Sequence, residues 1–191
     1  VCISEIVDDG SSLSLDLNFG GGDGQVTIQH AGGLNMRLWD VASQGDKLVV
    51  AAGREGNPGA YDAILIRLNA NGTLDTTFGN GGVVEIPTTG LSTNPRTLSA
   101  DIHGGLQVTG ETYTANSVRP FVYFHPPPPP PPASAAKAYE PVLVEHTFAD
   151  TPNSTFFVHE RLPDGSIVAA GAAYLNYPDP ASMRPLVVVL E

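Results

Sequence analysis

The sequence predicts an all-β, β-propeller-like fold on three observations. Short runs of Val, Ile, Thr and aromatic residues recur between Gly, Pro and Asn, which is the composition of strands and tight turns. No segment places apolar residues at helical spacing between capping residues. Three landmarks return in one order at intervals of about 60 residues, as in an array of repeated supersecondary units.

The first landmark joins Leu15-Asp16 and Phe19-Gly20 to Leu74-Asp75 and Phe78-Gly79. The second is an apolar run closed by glycine: "KLVVAAG" at Gly53, "GLQVTG" at Gly110 and "SIVAAG" at Gly171, expected to be equivalent positions. The third is a strand after a variable loop: "DAILIRL" at 62–68, "PFVYF" at 120–124 and "PLVVVL" at 185–190. Within a unit, "VVEI", "TLSADI", "LQVTG" and "FVYF" between 83 and 124 are short and bounded by turn residues. Four short antiparallel strands per unit is the makeup of a propeller blade.

Counting strands in register divides the chain into an extra N-terminal outer strand and turn (1–12), blade one (13–68), blade two (69–125), a polyproline linker (126–138) and blade three (139–191). The leading "CISEIV" (Cys2, Ile3, Ser4, Glu5, Ile6, Val7) takes the outermost position of a blade whose other strands are missing. Its open N–H and C=O groups are expected to find partners outside that blade. Two solutions stay open: the chain is a fragment of a longer propeller, or another copy completes it by strand addition. A heterologous contact that fails to close would build a filament.

The connection "LNANGTLDTTFG" is expected to link blade to blade. Asn71-Gly72 suits a tight turn with positive φ, and Asp16 and Asp75 suit turn-forming bonds to backbone N–H groups. Leu74 and Phe78 are expected to fill the gap between blades.

The surrounding residues resemble a known family. "DAILIRLNANGTLDTTFGNGGVV" looks like the delta-60 repeat, a bacterial, mostly secreted repeat predicted to form propeller blades, and "RLPDGSIVAAG" at 161–171 is similar to its strand opening. The resemblance covers 61–86 best, fades between 125 and 150, and implies a fold without any catalytic residue.

Composition narrows the functions. The chain has 191 residues, nine basic against twenty acidic, a net charge of −11 and no basic cluster. Phosphate neutralisation, and hence nucleic-acid binding, is excluded, and an anionic membrane surface would repel the chain. No apolar run is long enough for a membrane span. Charged residues make up 15%, against about 25% in ordinary globular proteins. That balance points to an extracellular or cell-surface location. Cys2 is the single cysteine, so no intrachain disulfide forms. Val1 opens no signal-peptide pattern, as expected of a mature or partial chain.

Modification sites are expected at two sequons, Asn71 and Asn153, in exposed turns. The seven-proline run of Pro126, Pro127, Pro128, Pro129, Pro130, Pro131 and Pro132 predicts extended polyproline II. It reads as a stiff spacer, as a ligand for an aromatic groove, or as a glycosylated wall-type segment, since such runs beside Ser and Ala resemble hydroxyproline-rich extracellular glycoproteins.

No nucleophile elbow, phosphate loop, cysteine-pair zinc motif or dinucleotide fingerprint occurs. His30, His103, His125, His146 and His159 are scattered without metal spacing, and "GGGDG" at 20–24 echoes a calcium repeat only once. Trp39 is expected between blades, while Tyr113, Tyr174 and Tyr177 lie near loops where glycans could touch. No metal, cofactor or catalytic residue is expected, and the protein is not expected to be an enzyme. The sequence thus predicts an extracellular structural protein that self-associates by sharing strands between chains. The alternative is a propeller binding module for carbohydrate or protein within a larger secreted protein. The partners expected are other copies and, second, glycans, with no nucleic acid and no membrane span.

Overall fold

Strands with apolar residues on both faces must be covered on both, and this chain covers them by stacking small sheets one behind another. The computed structural model describes residues 2–4, 6–8, 13–29, 35–101, 103–127, 141–147, 153–162, 166–174 and 182–190. Among them there is no α-helix, so no helix long and apolar enough to cross a membrane.

The first full sheet runs β5 (Met36–Gln44), β6 (Lys47–Asn57), β7 (Ala60–Leu68) and β8 (Val83–Glu85), all antiparallel neighbours. The second runs β9 (Ser92–Ala100), β10 (Leu106–Tyr113), β11 (Val118–His125) and β12 (Val142–Glu145). The third holds β13 (Asn153–Arg161), β14 (Ile167–Tyr174) and β15 (Met183–Leu190), and touches the second through one parallel pairing, Val118 with Asn153. Ahead of them β1 (Cys2–Ser4) pairs with β4 (Gln25–Thr27), and β2 (Ile6–Asp8) pairs with β3 (Leu13–Leu15).

Three corrections follow. The sheets end one strand later than the sequence divides them. After the Leu-Asp-x-x-Phe-Gly turn the chain reverses and pairs with the strand it has just left, Ile66 opposite Val83, so 83–85 close the first sheet rather than open the second. Residues 2–4 and 6–8 likewise have mates inside the chain: the first copy of the turn brings β4 back against β1, and β2 pairs with β3 ahead of that turn. The expectation of a leading strand without an in-chain partner is therefore wrong; Glu5 lies outside the described residues. Third, β11 and β12 pair with Phe124 opposite Val142, so the proline-containing connection leaves and returns at adjacent positions of one sheet. It is an excursion within the second sheet, not a linker between blades. Pro126 and Pro127 directly follow β11, and Pro128 to Pro132 lie outside the described residues.

The sheets bury one another in succession. Phe19, with Ile3 and Val26 packed beside it, meets Val50, Ala52, Ile64 and Ile66 of the first sheet. The opposite face of that sheet, Val49, Ala51, Ala63 and Leu65, meets Leu98, Leu106, Val108, Phe121 and Tyr123 of the second. Val122, on the second sheet's other face, meets Phe156 and Ala169 of the third. Each fully buried Val, Leu or Phe contributes about 1.5–3 kcal/mol, and face-to-face stacking of small antiparallel sheets is the construction of a propeller.

A β-bulge in each first strand sets which faces meet. The extra residue is Trp39 in β5, Arg96 in β9 and Phe157 in β13. In the second and third sheets the glycine beside the bulge, Gly110 or Gly171, sits so close that an added Cβ would strike the Asn94 or Thr155 carbonyl oxygen. In the first sheet Ala52 holds that place, one residue before Gly53. The three glycines that end the apolar runs are thus not equivalent: Gly53 has ordinary room for a Cβ. A one-residue offset moves every side chain to the other face, and this offset carries Val50 and Ala52 into the role that Val108 and Gly110 play in the second sheet.

Gly110→Ala and Gly171→Ala are each expected to lose about 2 kcal/mol of stability by overpacking. Gly53→Ala should change it by less than about 1 kcal/mol. Denaturant unfolding midpoints of the three variants check this ordering, and equal losses at all three positions would refute it.

Candidate functional site

The first strands β5, β9 and β13 carry the polar groups that the fold takes out of water. The Arg96 guanidinium lies 4.4 Å above the Trp39 ring, bulge residue on bulge residue. Its Nε is 2.9 Å from both carboxylate oxygens of Glu111, and a terminal nitrogen is 2.5 Å from Oε1. Glu111 is 1% exposed. Thr155 of the third sheet donates its hydroxyl to Oε2, and the Tyr113 hydroxyl donates to Oε1 at 3.3 Å. Burial lowers the Arg96 pKa, but the hydrogen bonds and charge of Glu111 outweigh it and hold the group above its ordinary range. A buried carboxylate is tolerated only when paired and hydrogen-bonded, and here the partners come from two sheets.

His159 of β13 bridges to β9. Its Nδ1 is 2.7 Å from the Thr97 hydroxyl and its Nε2 is 2.7 Å from the Ser99 hydroxyl. Burial holds its pKa below 6.5, against the opposing pull of Glu160 and Asp40. Ser99 and His159 have the spacing of a nucleophile and its base, yet the second imidazole nitrogen meets a hydroxyl instead of a carboxylate. Asp40 adds a further bridge by accepting from the Leu98 backbone N–H at 2.8 Å.

The repeated turn borders an open pocket of about 560 Å³ lined by Gln44, Asp46, Lys47, Arg67, Asn69, Leu74, Asp75, Thr76 and Thr77. Asp75 accepts from the Thr77 N–H at 3.1 Å and its hydroxyl at 2.6 Å, and from Arg67 Nε at 2.9 Å. The Thr77 hydroxyl is the main cause that holds its pKa below the ordinary range; the Thr77 N–H, Arg67 and Lys47 add to it against burial. Arg67 lies 4.4 Å from the Phe78 ring centroid, and Phe78 is buried between the first and second sheets. Asp16 makes the same kind of turn, accepting from the Asn18 N–H at 2.8 Å. The two copies of the motif touch, since the Gly20 N–H donates to the Asn71 carbonyl at 3.0 Å. Both aspartates are turn formers, as the sequence suggests. Leu74 does not fill the gap: it is 42% exposed and lies against Gly82.

Asn71 sits in an exposed turn, with its side-chain oxygen accepting from the Thr73 N–H at 3.1 Å. Asn153 does not. It opens β13, half-buried, and accepts from the Val118 N–H at 3.0 Å because the strand needs that bond to join the second sheet. Cys2, Ile3 and Ser4 lie in β1, and Ile6 and Val7 in β2. Among the described residues the histidines are not brought together: His125 stacks edge-on to Phe78 at 5.3 Å and His103 is exposed, while His30 is outside the described residues. Burial, first, and then the charge of Arg67 hold His125 below its ordinary value, and burial pushes the neighbouring Tyr123 up to about 12. The Arg96–Glu111 pair escaped the sequence reading. Its available signal was a lone charge within each of the otherwise uncharged strands "TNPRTLSA" and "LQVTGETY".

Residues 44–78 match the family described as "Domain of unknown function (DUF5122) beta-propeller". The match spans β6, β7 and the Asp75–Phe78 turn, the segment around which the pocket and the first interface are built. A search of curated proteins found no match. The protein is an all-β chain of propeller type.

Arg96→Ala leaves Glu111 buried without its cation and is expected to cost about 3 kcal/mol, whereas Arg96→Met with Glu111→Leu loses much less. Thermal unfolding of both variants tests this, and equal losses would show that the uncompensated Glu111 carboxylate is not what costs stability. A second expectation concerns pH. His159 stays neutral in the folded chain while the unfolded chain takes up a proton below about 6.5, so stability falls as pH drops through and below that value. His159→Gln should flatten this slope in unfolding measured from neutral to mildly acidic pH, with His125 supplying the remainder.

Proposed function

We propose that the chain is a non-enzymatic, extracellular structural protein that associates with further copies of itself by sharing β-strands. One observation carries the reading. Among the described residues β8 and β12, the last strands of the first two sheets, each pair on one side only, and β12 leaves Val142 51% and Val144 39% exposed. An edge strand presents a row of backbone donors and acceptors that another chain can pair with, and Val142, Leu143 and Val144 carry no charge to discourage it. The strands offered for sharing are thus β12 and, as the sequence expects, β1 and β2, which among the described residues each have one partner strand. The structural role is supported by where the buried charges go: Arg96, Glu111, Arg67 and Asp75 bind one another and their neighbours across strands and sheets. The low share of charged residues supports an extracellular setting.

A second reading, a module that binds carbohydrate, is favoured by the polar pocket beside Asp75. Sedimentation of the whole chain over a wide concentration range separates the two. Species well above 20.0 kDa are expected, and a strictly monomeric chain that retains a glycan would replace the first reading with the second.

A further inference from the structure

We infer that the pocket beside Asp75 binds an acidic sugar, a uronate, whose carboxylate meets Lys47 and Arg67; this rests on the carbohydrate-binding reading above. Two cations share one buried carboxylate there: Arg67 Nε lies 2.9 Å from Asp75 and Lys47 Nζ 3.8 Å. Arg67 is held by Asp75, by Gln44 at 2.9 Å and more loosely by the Thr77 hydroxyl at 3.5 Å. Lys47 is held less. Its Nζ donates to Asn69 Oδ1 at 2.6 Å, while Asp75 lies beyond hydrogen-bond reach. An ammonium has three donors, so among the described residues two of them are left for a ligand. The fold needs neither cation. Asp16 makes the same turn with the Asn18 N–H and side-chain amide, and among the described residues it forms no ion pair. With Ala52 in the place of Gly110, Lys47 and Arg67 correspond to Gly105 and Phe124 of the second sheet, which is built without a charge at either position.

The rest of the lining selects among anions. Asp46 is exposed on the hairpin between β5 and β6, and the chain carries a net charge of −11, so a compact dianion such as phosphate or sulfate is repelled. A uronate brings a single negative charge and several hydroxyls. Those hydroxyls can donate to Asp46 and exchange hydrogen bonds with the exposed Thr76, and Leu74, 42% exposed, offers an apolar flank to the C–H face of the ring. A volume of about 560 Å³ falls in the range of small-ligand sites. The lining comes from strand ends and turns, Gln44 to Lys47 and Arg67 to Thr77, so a bound sugar occupies neither a sheet face nor a strand edge.

Calorimetric titration of the whole chain with an oligogalacturonate, and with its methyl ester, tests this, because the ester keeps the rings and removes the charge. The acid is expected to bind at least about tenfold more tightly than the ester, and to weaken as salt is added. Lys47→Gln should lose about tenfold in affinity for the acid and leave the ester unchanged. Lys47→Arg should keep most of the affinity, and Arg54→Gln, toward the other end of β6, should change nothing. Unfolding midpoints confirm that the variants fold; if Lys47→Gln does not, the comparison of acid with ester on the wild type carries the test. Equal affinity for acid and ester, or an unaltered Lys47→Gln, would overturn the charge pairing while leaving the carbohydrate reading intact. Acetate that displaces the oligomer at equal concentration would overturn the sugar in favour of a plain carboxylate site. Binding of neither saccharide would remove the carbohydrate reading itself.

Discussion

One extra residue in the first strand of each sheet governs how this chain packs. A bulge twists the strand and leaves a side chain out of register with its neighbour, and here that residue is Trp39, Arg96 or Phe157. Because side chains alternate across a strand, the place of the bulge decides which apolar set faces forward and which faces back. The glycines at 110 and 171 follow from it, since a Cβ there would collide with the bulged strand's carbonyl oxygens. So does the stacking of Arg96 on Trp39, which places consecutive bulges in contact.

The buried ion pair depends on this geometry. Arg96 is the unpaired residue between Pro95 and Thr97, which pair with Gly110 and Thr109, and from there its Nε reaches both oxygens of Glu111. Once Glu111 is enclosed, Thr155 and Tyr113 satisfy what Arg96 leaves. Such a pair adds less to stability than its Coulomb attraction suggests, because both groups were dehydrated to make it. Its stronger effect is geometric: a sheet placed one residue out of register would strand a charge away from water. The Asp75–Arg67 pair under the repeated turn has the more buried guanidinium and the slightly more exposed carboxylate, and it anchors Phe78 between sheets.

The same interfaces explain why the third sheet differs. Its inner face is covered like those before it, with Phe156 and Ala169 fully buried. Its outer face and its last strand repeat surfaces that are occupied elsewhere in the molecule. Apolar faces and open strand edges are costly in water and selective about what relieves them.

The sequence alone determined the all-β class, the repeated turn and the structural role of Asp16 and Asp75, because local composition, glycine placement and Asx chemistry act over a few residues. It also told of two-faced burial, in runs such as "LVVAA" that never alternate with polar residues. It could not tell that Gly53 is offset by one residue from Gly110 and Gly171, that the strand after the turn folds back onto its predecessor, or that Arg96 and Glu111 meet. Those were decided by tertiary structure, for one physical reason. Register, strand order and charge pairing depend on backbone hydrogen bonds and sheet contacts between residues far apart in the chain, and nothing in the local sequence fixes which of several nearly equal pairings buries its groups completely.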